Sequence, residues 1–145
     1  MKIAIRYQSR GGNTKAVAEA IGSIIGVKAE SIETPIDEVV DILFIGGGVY
    51  MWDIDKPLKA FLSELNENHV KNIAAFSTGG SFSGTDKISK ISKGKGIPAC
   101  KQDLSIKMGV KNNSLLGGKG NVILSDRQID LIKKFVAEIV ANQSH

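Results

Sequence analysis

Tyr7-Gln8-Ser9-Arg10-Gly11-Gly12-Asn13-Thr14-Lys15 is the stretch that decides how this chain folds. Just before it, residues 2–7 alternate Ile3, Ile5 and Tyr7 with Ala4 and Arg6, the period-two pattern of a strand. Just after it, Ala16, Val17, Ala20, Ile21, Ile24 and Ile25 recur at helical spacing from about Thr14, and Gly26 is placed to close that helix. A strand, a turn rich in glycine and hydroxyls, and a helix together build an anion site. The glycines let backbone N–H groups turn inward, and the helix adds the positive end of its dipole. Ser9, Asn13 and Thr14 supply side chains that either cap the helix or bond a phosphate oxygen. The plainer alternative is a tight strand-to-helix turn with a good N-cap.

The rest of the chain repeats the alternation. Residues 27–32 form a second strand, less apolar and therefore expected at a sheet edge. Residues 35–40 read as a short helical turn. Residues 41–48 are a continuous apolar run ending in Gly46, Gly47 and Gly48, as expected of a central parallel strand covered on both faces. That run empties into Val49-Tyr50-Met51-Trp52-Asp53. A helix then starts from Asp55 with Pro57 in its first turn and carries Leu58, Phe61, Leu62 and Leu65 inward. Residues 72–77 are the fourth strand, which ends in Thr78-Gly79-Gly80-Ser81-Phe82-Ser83-Gly84-Thr85 before a lysine-rich helix. Residues 104–108 are a fifth strand. A loop with Gly117, Gly118 and Gly120 leads to Ser125-Asp126-Arg127, which caps a last helix through Ile129, Ile132, Phe135, Val136, Ile139 and Val140. Five strands alternating with helices give an α/β fold with a parallel sheet and helices on both faces. In such sheets the ligand sits outside the carboxyl ends of the strands. Strands one, three and four all end there in Gly/Ser/Thr-rich loops.

Composition narrows the function. A chain of 145 residues suits a single domain, residues 1–145. No apolar run is long enough to span a bilayer, and the N-terminal residues lack the pattern of a signal peptide, so a cytoplasmic location is expected. Cys100 is the only cysteine, which excludes an internal disulfide and a cysteine metal cluster. His69 and His145 are far apart in sequence, and no histidine metal site is expected. The net charge of +4 raises the question of nucleic acid. The lysines are scattered except between Lys87 and Lys95, where interleaved isoleucines mark a solvated helix face instead.

On these residues the chain resembles the short-chain flavodoxins, over nearly its whole length in element order and most specifically at residues 9–14. The resemblance implies a three-layer α/β sandwich, a five-stranded parallel sheet in the flavodoxin-like order 2-1-3-4-5, and FMN as cofactor. The first loop, Ser9, Arg10, Gly11, Gly12, Asn13 and Thr14, would wrap the FMN phosphate. Gly11 stands where a threonine is usual, and Arg10 is a cation the family generally does without here; it either bonds the phosphate or points to water. The second loop, Gly48, Val49, Tyr50, Met51 and Trp52, would lay an aromatic ring on the flavin, Tyr50 by position with Trp52 close behind. The third loop, Thr78, Gly79, Gly80, Ser81 and Phe82, would contact the flavin edge, with Phe82 as a second ring. The family's acidic residue in that loop is replaced at about Gly80. For all three aromatics the alternative is packing on the sheet rim.

Two further features qualify the resemblance. Electron-carrier flavodoxins are typically acidic, whereas this chain is basic. The chain also resembles flavodoxin-like domains of small quinone- and porphyrinogen-linked reductases, at Gly48-Val49-Tyr50 and the Pro-Leu-Lys-x-Phe-Leu helix. Other uses of the fold fail on residues. A receiver domain needs an aspartate after the third strand, a low-molecular-weight phosphatase needs a cysteine in the first turn, and Gly11-Gly12 does not fit G-x-G-x-x-G. The expectation is an FMN-binding electron-transfer protein or small reductase, working with a redox partner protein or an organic acceptor. It would have no catalytic acid or base, with Asp53 and Asp86 as solvated caps. The alternative is a cofactor-free flavodoxin fold serving as a binding or regulatory module.

Overall fold

Every residue from Ile42 to Gly48 is buried, and the strand that contains them is the axis of the molecule. The computed structural model describes residues 1–50, 53–79, 84–107 and 122–143. In chain order the elements are β1 (Ile3–Gln8), α1 (Asn13–Ile25), β2 (Ala29–Ser31), β3 (Ile42–Tyr50), β4 (Asp53–Ile54), α2 (Lys56–Ser63), β5 (Ile73–Thr78), α3 (Gly84–Gly94), β6 (Leu104–Ile106) and α4 (Asp126–Gln143). The sheet runs β2-β1-β3-β5-β6, with all of these pairs parallel. With β4 set aside, this is the expected order 2-1-3-4-5, with β2 at an edge. The additional strand, β4, pairs antiparallel with the end of β3, Tyr50 opposite Asp53 and Val49 opposite Ile54. Two residues are too short to show a period in sequence.

Alternation along the strands sends side chains to two cores. Ile5, Phe44, Ala74 and Phe76 face α1 and α4, where the Phe44 and Phe135 rings meet edge to face at 5.7 Å. Leu43, Ile45, Ile73 and Ala75 face α2 and α3 through Leu58, Leu62 and Ile88. The three layers are therefore α1/α4, sheet, and α2/α3. Two glycines make this close packing possible. A Cβ on Gly46 would lie 2.2 Å from the Phe76 ring, and one on Gly47 would lie 2.4 Å from the Leu58 side chain. Ser125 and Gln128 form a reciprocal capping box at the start of α4, the Gln128 N–H donating to Ser125 Oγ (3.1 Å) and the Ser125 N–H to Gln128 Oε1 (2.9 Å). None of the described helices is long and apolar enough to cross a membrane.

The helical turn expected at residues 35–40 does not form. The chain turns at residues 31–34, with the Thr34 N–H donating to Ser31 O (3.0 Å), then runs as an irregular strap to Val40. Arg6 explains the difference. Its side chain, on the α2/α3 face of β1, is 7% exposed and donates from Nε to Thr34 O (2.8 Å) and from Nη2 to Pro35 O (3.1 Å). A helix needs those carbonyls for its own N–H groups. Nη1 donates to Ile5 O (3.0 Å) and pairs with Glu30 at 3.3 Å. Burial pushes the Arg6 guanidinium below its ordinary value, and the charges of Glu30 and Asp37 oppose that shift. The strap adds Ile32 and Ile36 to the core, covering a corner of the sheet that a helix would otherwise cover.

Candidate functional site

The carboxyl ends of β1, β3 and β5 meet at one rim. The first loop turns at Gly12, whose φ of 96° lies in the left-handed region, and α1 starts at the next residue. Gly12 is the N-cap and carries no side chain, so no side chain caps the first turn of α1. Ser9, Asn13 and Thr14 do not cap the helix. The Ser9 hydroxyl instead braces the loop, accepting the Gly12 N–H at 3.0 Å. Thr14 is 1% exposed, and its hydroxyl lies 2.8 Å from that of Thr78 at the end of β5. Asn13 Oδ1 is buried with no hydrogen-bond partner among the described residues. An uncapped helix start beside two hydroxyls suits an anionic group, and the buried, unpartnered amide oxygen suits a hydrogen-bond donor on the same ligand.

Ser9, Gly11, Asn13, Thr14, Gly48, Val49, Tyr50, Thr78 and Gly79 line a cleft of about 230 Å³ there. Gly48 and Gly79 keep it open. A Cβ on Gly48 would come within 2.8 Å of the Tyr50 hydroxyl, and Gly79 has a φ of 132° with the Val49 N–H beside it. A larger cleft of about 300 Å³ lies beside the strap, lined by Ile36, Phe61 and Leu65 among others. The uncapped helix start and the unpartnered Asn13 oxygen are at the rim, so the smaller cleft is the functional candidate. Met51, Trp52, Gly80, Ser81 and Phe82 lie outside the described residues.

Arg10 is not among the residues that line the cleft, and its exposed side chain is paired with Asp55. Its Nε and Nη2 donate to Asp55 Oδ2 and Oδ1, each at 2.8 Å, in a two-pronged pair. Its guanidinium carbon stands 4.0 Å from the centre of the Tyr50 ring. Its backbone N–H donates to the Tyr50 hydroxyl at 3.4 Å. Asp55 is the N-cap of α2, accepting the Lys56 N–H at 3.1 Å, and also accepts Gln8 Nε2 at 2.9 Å. The hydrogen bond from Arg10 is the main reason its carboxyl is held below the ordinary carboxylate value. Burial pushes the Tyr50 hydroxyl above its ordinary value, against smaller opposite effects from Arg10.

Asp53, expected as a solvated cap, is engaged instead. It pairs with Lys59 and, at 3.9 Å, with Lys87, and accepts the Ile54 N–H at 2.8 Å. The hydrogen bond from Lys59 leads the effects that hold its carboxyl below the ordinary value. Asp86 is exposed in the first turn of α3. Among the described residues no group of His, Cys, Asp and Glu is placed to hold a metal ion. Sequence reasoning missed the reach of Asp55 and Gln8 to Arg10 and the pairing of Thr14 with Thr78. An aspartate before Lys-Pro signals a helix start and carries no sign of a partner 45 residues away.

A family model described as a flavodoxin domain matches residues 4–122. Comparison of the sequence with curated proteins gave no match. Among solved structures, a flavodoxin from the domain Archaea superimposes with a TM-score of 0.77 at 24% identity, covering 100% of both chains. Oxidised flavodoxin 2 from Bacillus cereus gives 0.72 at 14% identity, over 98% of this chain and 99% of its own. A short-chain flavodoxin associated with a non-canonical PDU bacterial microcompartment gives 0.69 at 16% identity, over the same shares. At these identities the likeness is one of fold.

Proposed function

The chain belongs to the flavodoxin family, and from that premise we propose that it is an FMN-binding redox protein. The observation that carries this reading is the uncapped first turn of α1, which opens on a cleft edged by the Thr14 and Thr78 hydroxyls. A phosphate monoester fits that donor set: backbone N–H groups at Gly11, Asn13 and Thr14, the helix dipole, and hydroxyls from Ser9 and Thr14. Gly11 brings no hydroxyl of its own, and Thr78 stands close enough to offer one. Asn13 is suited to the polyol that links phosphate to ring, since its buried Oδ1 needs a donor. A cleft of about 230 Å³ suits that tail, with Tyr50 and Val49 as walls for the ring. No second nucleotide-binding motif is present for the AMP half of FAD.

FMN would supply the electron chemistry, and the protein would bind, orient and shield it. Among the described residues no side chain at the cleft is placed as a dedicated proton donor, since Asp55 is tied to Arg10 and Asp53 to Lys59. The net charge of +4 supports an organic acceptor, of quinone or porphyrinogen type, over the basic partner proteins that acidic carriers dock on. Titration of the apo-protein with FMN, FAD and riboflavin tests the reading, and FMN is expected to bind tightest. Riboflavin binding as tightly as FMN would remove the phosphate assignment. Binding of no flavin would leave the fold as a cofactor-free binding module.

A further inference from the structure

We infer that Arg10 is a positioning residue for the Tyr50 ring, held in place by Asp55, and not a ligand of the phosphate. The inference deepens the FMN reading and rests on it. Arg10 lies within the phosphate loop, next to Ser9 and Gly11, where a cation invites assignment to the phosphate. Its geometry points elsewhere. Both prongs of the guanidinium are taken by the two oxygens of one carboxylate, and its face lies on the tyrosine ring. Asp55 is itself fixed, by its place at the start of α2 and by Gln8. Its side chain is 11% exposed against 59% for Arg10. To turn its Nε and Nη2 edge to a phosphate Arg10 would have to leave Asp55, stranding a largely covered carboxylate without its cation.

The ring is held from several sides. The Arg10 guanidinium stacks on it, the Arg10 N–H meets its hydroxyl, and Gly48 leaves room beneath that hydroxyl. The cation covers one face of the ring, and Tyr50 lines the cleft. Gln8, Arg10 and Asp55 thus join the end of β1 to the start of α2, so that the orientation of Tyr50 is set before a flavin arrives. Such pre-organisation lowers the ordering cost of binding for the ring of any flavin, with or without a phosphate.

The test compares FMN with riboflavin on wild type, Arg10→Gln, Arg10→Lys, Asp55→Asn and the Arg10→Gln/Asp55→Asn pair. Arg10→Gln is expected to weaken both flavins by a similar factor, about five- to thirtyfold. Asp55→Asn should reproduce it, and the double variant should be no worse than either single one. Lysine should not rescue, because it keeps the charge and loses the planar fork. In the apo-protein, NMR should show Arg10 side-chain protons shifted upfield by the Tyr50 ring, with the shift lost in Asp55→Asn. Loss of FMN affinity alone in Arg10→Gln, rescued by lysine, would overturn the inference and leave the FMN reading intact. Wild-type protein that binds neither flavin would overturn both, and unshifted Arg10 signals would overturn the clamp itself.

Discussion

The hydroxyls of Thr14 and Thr78 lie 2.8 Å apart, both buried, and join the first turn of α1 to the end of β5. Replacing one strands the other. Thr78→Val is expected to cost about 1–3 kcal/mol in urea unfolding, because the Thr14 hydroxyl loses its partner. The Thr14→Val/Thr78→Val pair should cost less than the two single variants added together. Thr14→Ala should also weaken FMN by about 1–3 kcal/mol, and riboflavin by less. Simple addition in the stability cycle would show that the two hydroxyls are not coupled.

Arg6 holds the strap without touching the rim. Arg6→Met removes three hydrogen bonds to carbonyls and the pair with Glu30, and should cost roughly 2–4 kcal/mol of stability. Hydrogen exchange should locate the damage. The Ile32 N–H, bonded to Tyr7 O at 2.9 Å, should lose protection first. FMN affinity should stay within about twofold of wild type, since surface and scaffold changes away from a site add independently.

The Asp55 carboxyl gives the Arg10 pair a pH dependence of definite sign. A carboxylate held below its ordinary value stabilises the folded state fully above that value, about 3.9 for aspartate. The contribution is lost as the pH falls through the lower folded value. The stability difference between wild type and Asp55→Asn should therefore be flat from neutral pH to about 5 and shrink below about 4. Chemical denaturation across that range measures it. A difference that grows on acidification would contradict the assigned pair.

Gly46 has no room for a side chain while Phe76 is present. Gly46→Ala should cost about 1–3 kcal/mol or more through overpacking. Trimming the ring in Gly46→Ala/Phe76→Leu should recover part of that loss, read from the urea midpoint. No recovery would mean that the backbone, and not the ring, sets the limit.

The parts of the fold that were legible in sequence are those with a long period or a strong stop. The run from Ile42 to Gly48 announces a central strand because both its faces are covered, and α1 announces itself by spacing and by Gly26, which closes it at a φ of 84°. The strap was misread because its conformation is set by Arg6, some 28 residues earlier in the chain. Side chains that satisfy distant carbonyls leave no local pattern. Of the three glycine- and hydroxyl-rich turns expected on one rim, the described residues Ser9, Gly11, Asn13, Thr14, Gly48, Val49, Tyr50, Thr78 and Gly79 do line one cleft. The partners within them were not legible. Arg10 bears the same charge whether it meets a phosphate, water or Asp55, and only the fold decides which is near.

The place of α4 in the layering bears on the order in which the chain is made. Its residues Ile132, Phe135, Val136 and Ile139 cover the face of the sheet that carries Ile5, Phe44, Ala74 and Phe76, and it follows every other described element. Among the described elements, only α1 covers that apolar face during synthesis until α4 has left the ribosome. A nascent chain halted before residue 126 presents it to whatever is at hand, chaperone or neighbour. The packing of this sheet face among the described elements is thus completed only when α4 is available.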